Sequence, residues 1–320
     1  MRLGAIPFGA IGFALGGAAV IALVAWHGAA AIGAEVLQAA WAIPPILAIH
    51  AVNQWLSGIA WRWSVGGTGP SLASYLGIRI IREAVNSLLP TAQLGGNLVG
   101  IRMLAQRGVP GTDAAAGTTI DVTIEAITQL AFALIGIALL THLAGDTAWA
   151  PWVQGGVLAL AAGIAAFIVA QQAIGLRLLE FLARRIPTFP LNAARRLFAA
   201  LAERRRHPGR LARATALQFL ALVFGIGETW LALTAMGRET SLAEALVLES
   251  LGLAVRGAGF MVPAGLAVQE AGFLLLGGLL GIPPDQAIAL SMVKRVRELA
   301  FGLPALAAWQ WAELRRLLGK

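Results

Sequence analysis

Hydrophobic residues make up 58% of the 320-residue chain and charged residues 12%, with a mean hydropathy of +0.76. That balance excludes a soluble globular domain and reads as a polytopic, all-α membrane protein. The net charge of +8 is local: residues 177–213 hold ten arginines against Glu180 and Glu203, while fourteen basic and fourteen acidic residues cancel elsewhere. No nucleic-acid partner is expected, because one arginine-rich segment between spans is what the positive-inside rule places in the cytoplasm.

In chain order, residues 5–26 form an apolar run long enough to span a bilayer, and too long for an ordinary signal-peptide core, so an uncleaved first span is preferred. Residues 27–40 carry no Lys or Arg and are expected as an external loop. Residues 40–61 return, with Trp41, Trp61 and Trp63 as interfacial anchors and Arg62 on the cytoplasmic side. The next stretch, 72–107, holds Arg79, Arg82, Glu83 and Arg102 and is broken at Pro90, so it reads as a re-entrant hairpin. Broken backbone at membrane depth is tolerated only when buried in protein or lining a wet cavity. Residues 112–140 cross outward and 152–174 cross back to the arginine-rich segment. Its Leu178, Leu179, Phe181 and Leu182, then Leu197, Phe198 and Leu201, suit either an amphipathic helix at the interface or a plain topogenic loop. Residues 214–236 cross outward, 241–281 form a second broken hairpin, and 286–312 bring the C-terminus back to the cytoplasm, where Arg315, Arg316 and Lys320 lie. The predicted protein is one membrane domain with six spans, two hairpins and both termini cytoplasmic.

A shift of 173 positions places Pro90 on Pro263, Gly108-Val109-Pro110 on Gly281-Ile282-Pro283, and Glu125 on Glu298. Three crossings separate Pro90 from Pro263, so the two units run in opposite directions, an inverted-topology repeat. Its halves are placed at about 40–140 and 214–312, joined by a basic linker at 175–213.

Charged residues within the spans are costly, at about 2.5–3.5 kcal/mol each on insertion scales, and must face the bundle interior. Asp121 and Glu125 share a helix face near the midplane, and the repeat-related positions carry Lys294, Arg295, Arg297 and Glu298. One reading is structural, with Asp121 and Glu125 bridging Lys294 and Arg297 between the halves. The other is functional: Arg82, Arg102 and Arg256 grip a negative headgroup through their planar forks, and Gln93, Asn97 and Gln269 complete a polar lining. Glu228 and Glu249 suit either a proton carrier or helix–helix glue. Cysteine is absent, and His27, His50, His142 and His207 are scattered without metal-ligand spacing, each expected at an interface or in a loop. No metal or cofactor is expected, and no nucleotide-binding Gly-x-x-x-x-Gly-Lys-Ser/Thr loop is present.

The segment Leu89-Pro90-Thr91-Ala92-Gln93-Leu94-Gly95-Gly96, followed by Arg102-Met103-Leu104, and the segment Val262-Pro263-Ala264-Gly265-Leu266-Ala267-Val268-Gln269-Glu270 resemble the two signature loops of the lysylphosphatidylglycerol synthase transmembrane-region family. Within it the chain looks most like the branch associated with hopanoid biosynthesis. The resemblance implies a lipid flippase-like function with two re-entrant elements. Many relatives read Pro-Gly-Gly-Leu-Gly-x-x-Glu at the second loop. Here two glycines are Ala264 and Ala267, and only Pro263, Gly265, Leu266 and Glu270 carry over. No aminoacyl-transferase domain follows the last span, so the chain is not expected to be a synthase or an enzyme.

The expectation is a transporter that moves or presents an amphiphilic lipid, phospholipid or hopanoid, between leaflets of a bacterial inner membrane. Its partners would be membrane lipids, lipid-biosynthetic enzymes and further copies of itself. Two other classes compete. An intramembrane transferase would use Asp121 and Glu125 as acid–base or metal groups, and a non-catalytic scaffold would tolerate neutralisation of Arg82.

Overall fold

The computed structural model describes residues 8–66, 69–89, 94–144, 191–258 and 266–318, with a few positions between 155 and 162. Among them every regular element is helical. Helices α1 (Phe8–His27) and α2 (Ala29–Gln38) meet at Gly28, and a short 3₁₀ turn at Ala39–Ala42 leads into α3 (Ile43–Val65). The first hairpin is α4 (Leu72–Leu88) and α5 (Gly95–Ala105), followed by the long α6 (Gly111–Ala144). The arginine-rich segment contributes α7 (Leu191–Arg205) and leads into α8 (Pro208–Ala235). The second hairpin is α9 (Leu242–Ala258) and α10 (Val268–Leu279), followed by α11 (Pro284–Leu317).

Among the described residues, three helical runs are long and apolar enough to cross a bilayer: Ala29–Val65, Gly111–Leu143 and Pro208–Ala235. The chain is thus an all-α membrane protein. Helix α11 is as long as α6, at 34 residues each, but Lys294, Arg295, Arg297 and Glu298 interrupt its apolar character. The expected span at 152–174 lies almost wholly outside the described residues. The expected external loop at 27–40 is mostly helix instead. Ala29-Ala30-Ala31 and the alanines after them carry the strongest helix propensity of any residue, and that outweighs Gly33.

The second half reuses the element boundaries of the first. Helices α5 and α10 begin 173 positions apart, and α6 and α11 keep that offset at both ends. The turns before the long helices share their hydrogen bonds as well: Val109 N donates to Leu104 O (3.2 Å) and Ile282 N to Gly277 O (2.8 Å). Both turns need a residue with positive φ, supplied by Gly108 (φ 89°) and Gly281 (φ 67°), a conformation that costs glycine nothing. Val109 and Ile282 are buried behind them. Helices α4 and α9 are 17 residues each. They start within Ser71-Leu72-Ala73 and Ser241-Leu242-Ala243, directly after each serine, an offset of 170, so the interruption that follows is three residues longer in the second half.

Packing crosses between the halves. Helix α4 lies on α11 and α9 on α6. Small residues permit both approaches: a Cβ at Gly302 would collide with Leu88, and one at Gly136 with Ser250. Helices α3 and α8 pack along each other, with Asn53 Nδ2 donating to Ala221 O at 2.6 Å. The basic segment is tied down where α7 docks. Leu201 is buried beside Ala60, Ile120 and Ala214, with Leu197 packed against them. Arg204 donates to Val65 O and to Asp113, both at 3.1 Å. The residues 178–182 of the expected amphipathic stretch lie outside the described residues.

Candidate functional site

Two clusters of buried charge sit beside the two interrupted hairpins. In the first, Arg79 and Arg82 on α4 stand one helical turn apart and face Asp121 and Glu125, likewise one turn apart on α6. Arg79 bonds Glu125 and lies 3.6 Å from Asp121. Arg82 bonds Asp121 and reaches Glu125 Oε2 at 3.1 Å. The remaining Arg82 donor, Nε, is taken by Asn97 Oδ1 at 2.6 Å. The Arg82 guanidinium also lies over Trp61, 5.3 Å from the ring centre, a further favourable cation–π contact. Trp61 is held by a 3.2 Å bond from Nε1 to Thr118. Gly100 leaves room for the ring, since a Cβ there would come within 3.2 Å of it. Arg82 and Asp121 are 2% and 1% exposed, so solvent screens neither of them.

The second cluster is larger. Arg256 on α9 bonds Glu298 on α11, and Glu298 also faces Arg295 (3.2 Å) and Arg297 (3.8 Å). Arg295 Nε donates to Glu270 (3.2 Å), which also accepts from Ser291 (3.0 Å). Gln269 accepts from Arg256 (3.3 Å) and donates to Ser291 (2.9 Å). Lys294 reaches Glu249 at 2.6 Å, and Glu249 also accepts from Thr229. Arg297 bonds Glu228, which in turn meets His50 Nδ1 at 3.1 Å.

The sequence-predicted residues therefore divide. Arg82, Asn97, Asp121 and Glu125 come together, as do Arg256, Gln269, Glu270, Lys294, Arg297 and Glu298. Arg102 stands apart: its side chain is 64% exposed and pairs with Glu313 at 3.1 Å near the far end of α11. Pro90, Gln93, Pro263 and Gly265 lie outside the described residues. Gly95 opens α5. Gly96 donates its N–H to Asn86 Oδ1 at 2.8 Å, and a Cβ on it would fall on the Arg82 carbonyl.

The expected bridges from Asp121 and Glu125 to Lys294 and Arg297 do not form among the described residues. Each long helix is instead neutralised by the hairpin of its own half, with Glu228 on α8 serving Arg297. His50 also departs from expectation. It is buried inside α3 at 9% exposure, bonded to Glu228 and Gln54, where an interfacial or loop residue was expected. Arg79 was overlooked as a partner, although its i, i+3 spacing from Arg82 matches the Asp121/Glu125 pair and was readable in the sequence.

A family model described as the lysylphosphatidylglycerol synthase TM region matches residues 10–305. The chain belongs to that family. No curated protein and no solved structure matches it. Membership in the lysylphosphatidylglycerol synthase TM-region family points to a membrane lipid-related function. It also gives meaning to Ala267. This residue caps α10 in the left-handed region, φ 66° and ψ −28°, and is the one non-glycine residue with positive φ among the described residues. It occupies one of the two positions where many members of this family carry glycine. The left-handed conformation of Ala267 carries a steric cost of about 1–2 kcal/mol.

Proposed function

We propose that this protein moves an amphiphilic lipid, a phospholipid or a hopanoid, between the leaflets of a bacterial inner membrane, with both termini cytoplasmic and without nucleotide hydrolysis. The observation that carries the reading is the placement of Arg82 and Arg256. Each lies just before a hairpin interruption and is held by carboxylates of the long helix that follows, Asp121 with Glu125 and Glu298 respectively. A guanidinium fork accepts a carboxylate and a phosphate with the same geometry. An anionic headgroup entering at either interruption can therefore exchange with an internal carboxylate without leaving a bare charge in hydrocarbon.

The shared helix boundaries support an inverted repeat, the architecture that places a substrate site at interrupted helices near the midplane. In this reading α4–α5 and α9–α10 are re-entrant hairpins. For a hopanoid lacking phosphate, the amides Asn97 and Gln269 become the recognition groups.

The test is reconstitution into liposomes with headgroup-labelled anionic, zwitterionic and hopanoid-like lipids, followed by quenching with a membrane-impermeant reductant. Quenching beyond the outer-leaflet half, reduced in Arg82→Ala and Arg256→Ala vesicles, is the expected result. Quenching confined to the outer half for every lipid would exclude unassisted movement. Chemical analysis of the recovered lipid separates transport from group transfer, since an intramembrane transferase would leave a modified product.

A further inference from the structure

Both charge clusters are neutral by themselves. Arg79 and Arg82 match Asp121 and Glu125, and the four cations of the second cluster match Glu228, Glu249, Glu270 and Glu298. Glu83 on α4 is a further, half-buried carboxylate beside both clusters: it makes no ion pair, and its carboxylate no hydrogen bond, among the described residues, although Arg79 and Arg256 lie near enough to attract it. It faces a small cavity of about 20 Å³, room for a single water molecule. That cavity is partly open and is lined by His50 and Gln54 from α3, Ser87 from α4, and Arg297, Glu298 and Phe301 from α11. With both clusters neutral, Glu83 is one negative charge in excess, and partial burial makes that excess costly. One added positive charge at the cavity would cancel it.

The cavity contains a group built to accept that charge. His50 Nδ1 donates to Glu228 Oε1 at 3.1 Å, and its Nε2 sits 3.1 Å from Gln54 Nε2, so the amide donates to the ring and the imidazole is neutral. Gln54 Oε1 is buried and has no partner. Turning that amide over places Oε1 against His50 Nε2, where it accepts a hydrogen from a doubly protonated ring. The same heavy-atom positions thus serve both states of the histidine: the amide nitrogen is partnered by the neutral ring, and the amide oxygen by the charged one. The charged groups around the ring are Glu228 from α8, Glu83 from α4, and Arg297 and Glu298 from α11, with the Lys294–Glu249 pair beyond Glu228.

We propose that His50, Gln54 and Glu83 form a proton-binding site: one proton from water adds to His50 Nε2, which then donates to Gln54, and the imidazolium neutralises Glu83 across the cavity. Since the cavity is shared by α4 of the first half and α11 of the second, loading and unloading the proton changes the attraction between the halves. That coupling to movement rests on the lipid-moving reading, whereas the proton site does not.

The experiment is NMR of the full chain, ¹³C,¹⁵N-labelled at histidine, in lipid nanodiscs, with the His50 signal assigned by its loss in His50→Gln. The expected signal shows the Nδ1–H tautomer at high pH and titrates within about pH 5 to 8. Glu83→Gln should weaken proton binding about tenfold, one unit in the midpoint, while Glu83→Asp keeps it near the original. A His50 signal unchanged across that range, a midpoint that Glu83→Gln does not move, or a midpoint that follows sodium concentration would each overturn the proposal. Labelled-lipid movement is measured on the same preparations under an imposed pH gradient. Titration of His50 without lipid movement at any pH sinks the transport reading alone. Lipid movement with a silent His50 sinks the proton site alone.

Discussion

In the first half, two arginines and two carboxylates close on one another, with Asn97 and Trp61 filling the remaining sides of Arg82. In the second half the charges are strung out instead, from Arg256 through Glu298 and Arg295 to Glu270, with Arg297–Glu228–His50 and Lys294–Glu249 alongside. In the compact cluster both carboxylates share the same two arginines, and among the described residues no other cation lies within ion-pair reach of Asp121 and Glu125. The extended one is redundant, because Glu298 has three basic neighbours. Two segments with matching helix boundaries have thus solved the burial of charge in different ways, one closed on itself and one strung out. In the second, Glu298 can lose one basic neighbour and keep two, although the cluster as a whole holds no cation in excess.

The sharpest test of that contrast is a pair of single changes. Arg82→Ala leaves Asp121 with Arg79 at 3.6 Å as its remaining partner. The expected destabilisation is about 3–5 kcal/mol, read as a lowered midpoint in a tryptophan-fluorescence melt in detergent. Arg256→Ala leaves Arg295 and Arg297 beside Glu298, and its expected cost is less than half as large. Equal losses would break the distinction between the two clusters. Replacing Arg82 and Asp121 together by Met and Leu should recover most of the stability, because no lone charge remains.

Backbone spacing gives the next largest effect. A methyl at Gly96 would fall on the carbonyl of Arg82, whereas one at Gly272 would meet the side chain of Val255 at 2.9 Å. A side chain yields where a backbone carbonyl does not. Gly96→Ala is expected to cost about 2–3 kcal/mol and Gly272→Ala about 1 kcal/mol, on the same melt.

Much of this arrangement was readable before any coordinates. Interruptions near Pro90 and Pro263 do separate helices, and Gly108-Val109-Pro110 and Gly281-Ile282-Pro283 do mark the starts of the long helices. The starts of the long helices follow from local chemistry, a residue that tolerates positive φ, whereas Pro90 and Pro263 themselves lie outside the described residues. The pairing of the charges was not readable. Asp121 and Glu125 define a helix face, but which neighbour lies on that face is set by packing at distant glycines such as Gly136 and Gly302. His50 was misread for the same reason: its partner Glu228 is 178 residues away. The Ser-Leu-Ala repetition escaped notice because its offset is 170, three short of the one that aligns everything after the interruption.

Smaller effects probe how the two hairpins begin and resume. Ala267→Gly should raise stability by about 1 kcal/mol by relieving the left-handed alanine; a loss would mean that the methyl contributes packing. At the surface end of α9, Ser241 and Glu244 cap each other, with Ser241 N donating to Glu244 Oε2 (2.8 Å) and Glu244 N to Ser241 Oγ (3.1 Å). The corresponding Ser71 on α4 caps through Ser74 N at 3.3 Å and has no carboxylate in return. Ser241→Ala should therefore cost about 1 kcal/mol, and Ser71→Ala less. Burial alone would push the Glu244 carboxyl up, but the Ser241 N–H and hydroxyl and the Arg238 guanidinium outweigh it and hold the group below its ordinary value. A carboxylate depressed in the folded state stabilises above its unfolded value and loses that contribution as pH falls through the folded one. Melts of the wild type and Glu244→Gln should accordingly differ near neutrality and converge below about pH 4.

The equal length of α6 and α11 bears on the bilayer itself. At about 1.5 Å per residue, 34 residues extend roughly 51 Å, against a hydrocarbon thickness of about 30 Å. In the proposed topology each helix has reach to spare and accommodates thinner or thicker membranes by changing its tilt. Helices α5 and α10, with 11 and 12 residues, extend only about 17 Å and have no such latitude. A change in acyl-chain length is therefore absorbed unequally. The long helices lean while the short ones keep their depth, so membrane thickness itself becomes a variable that sets the angle between each hairpin and the helix beside it.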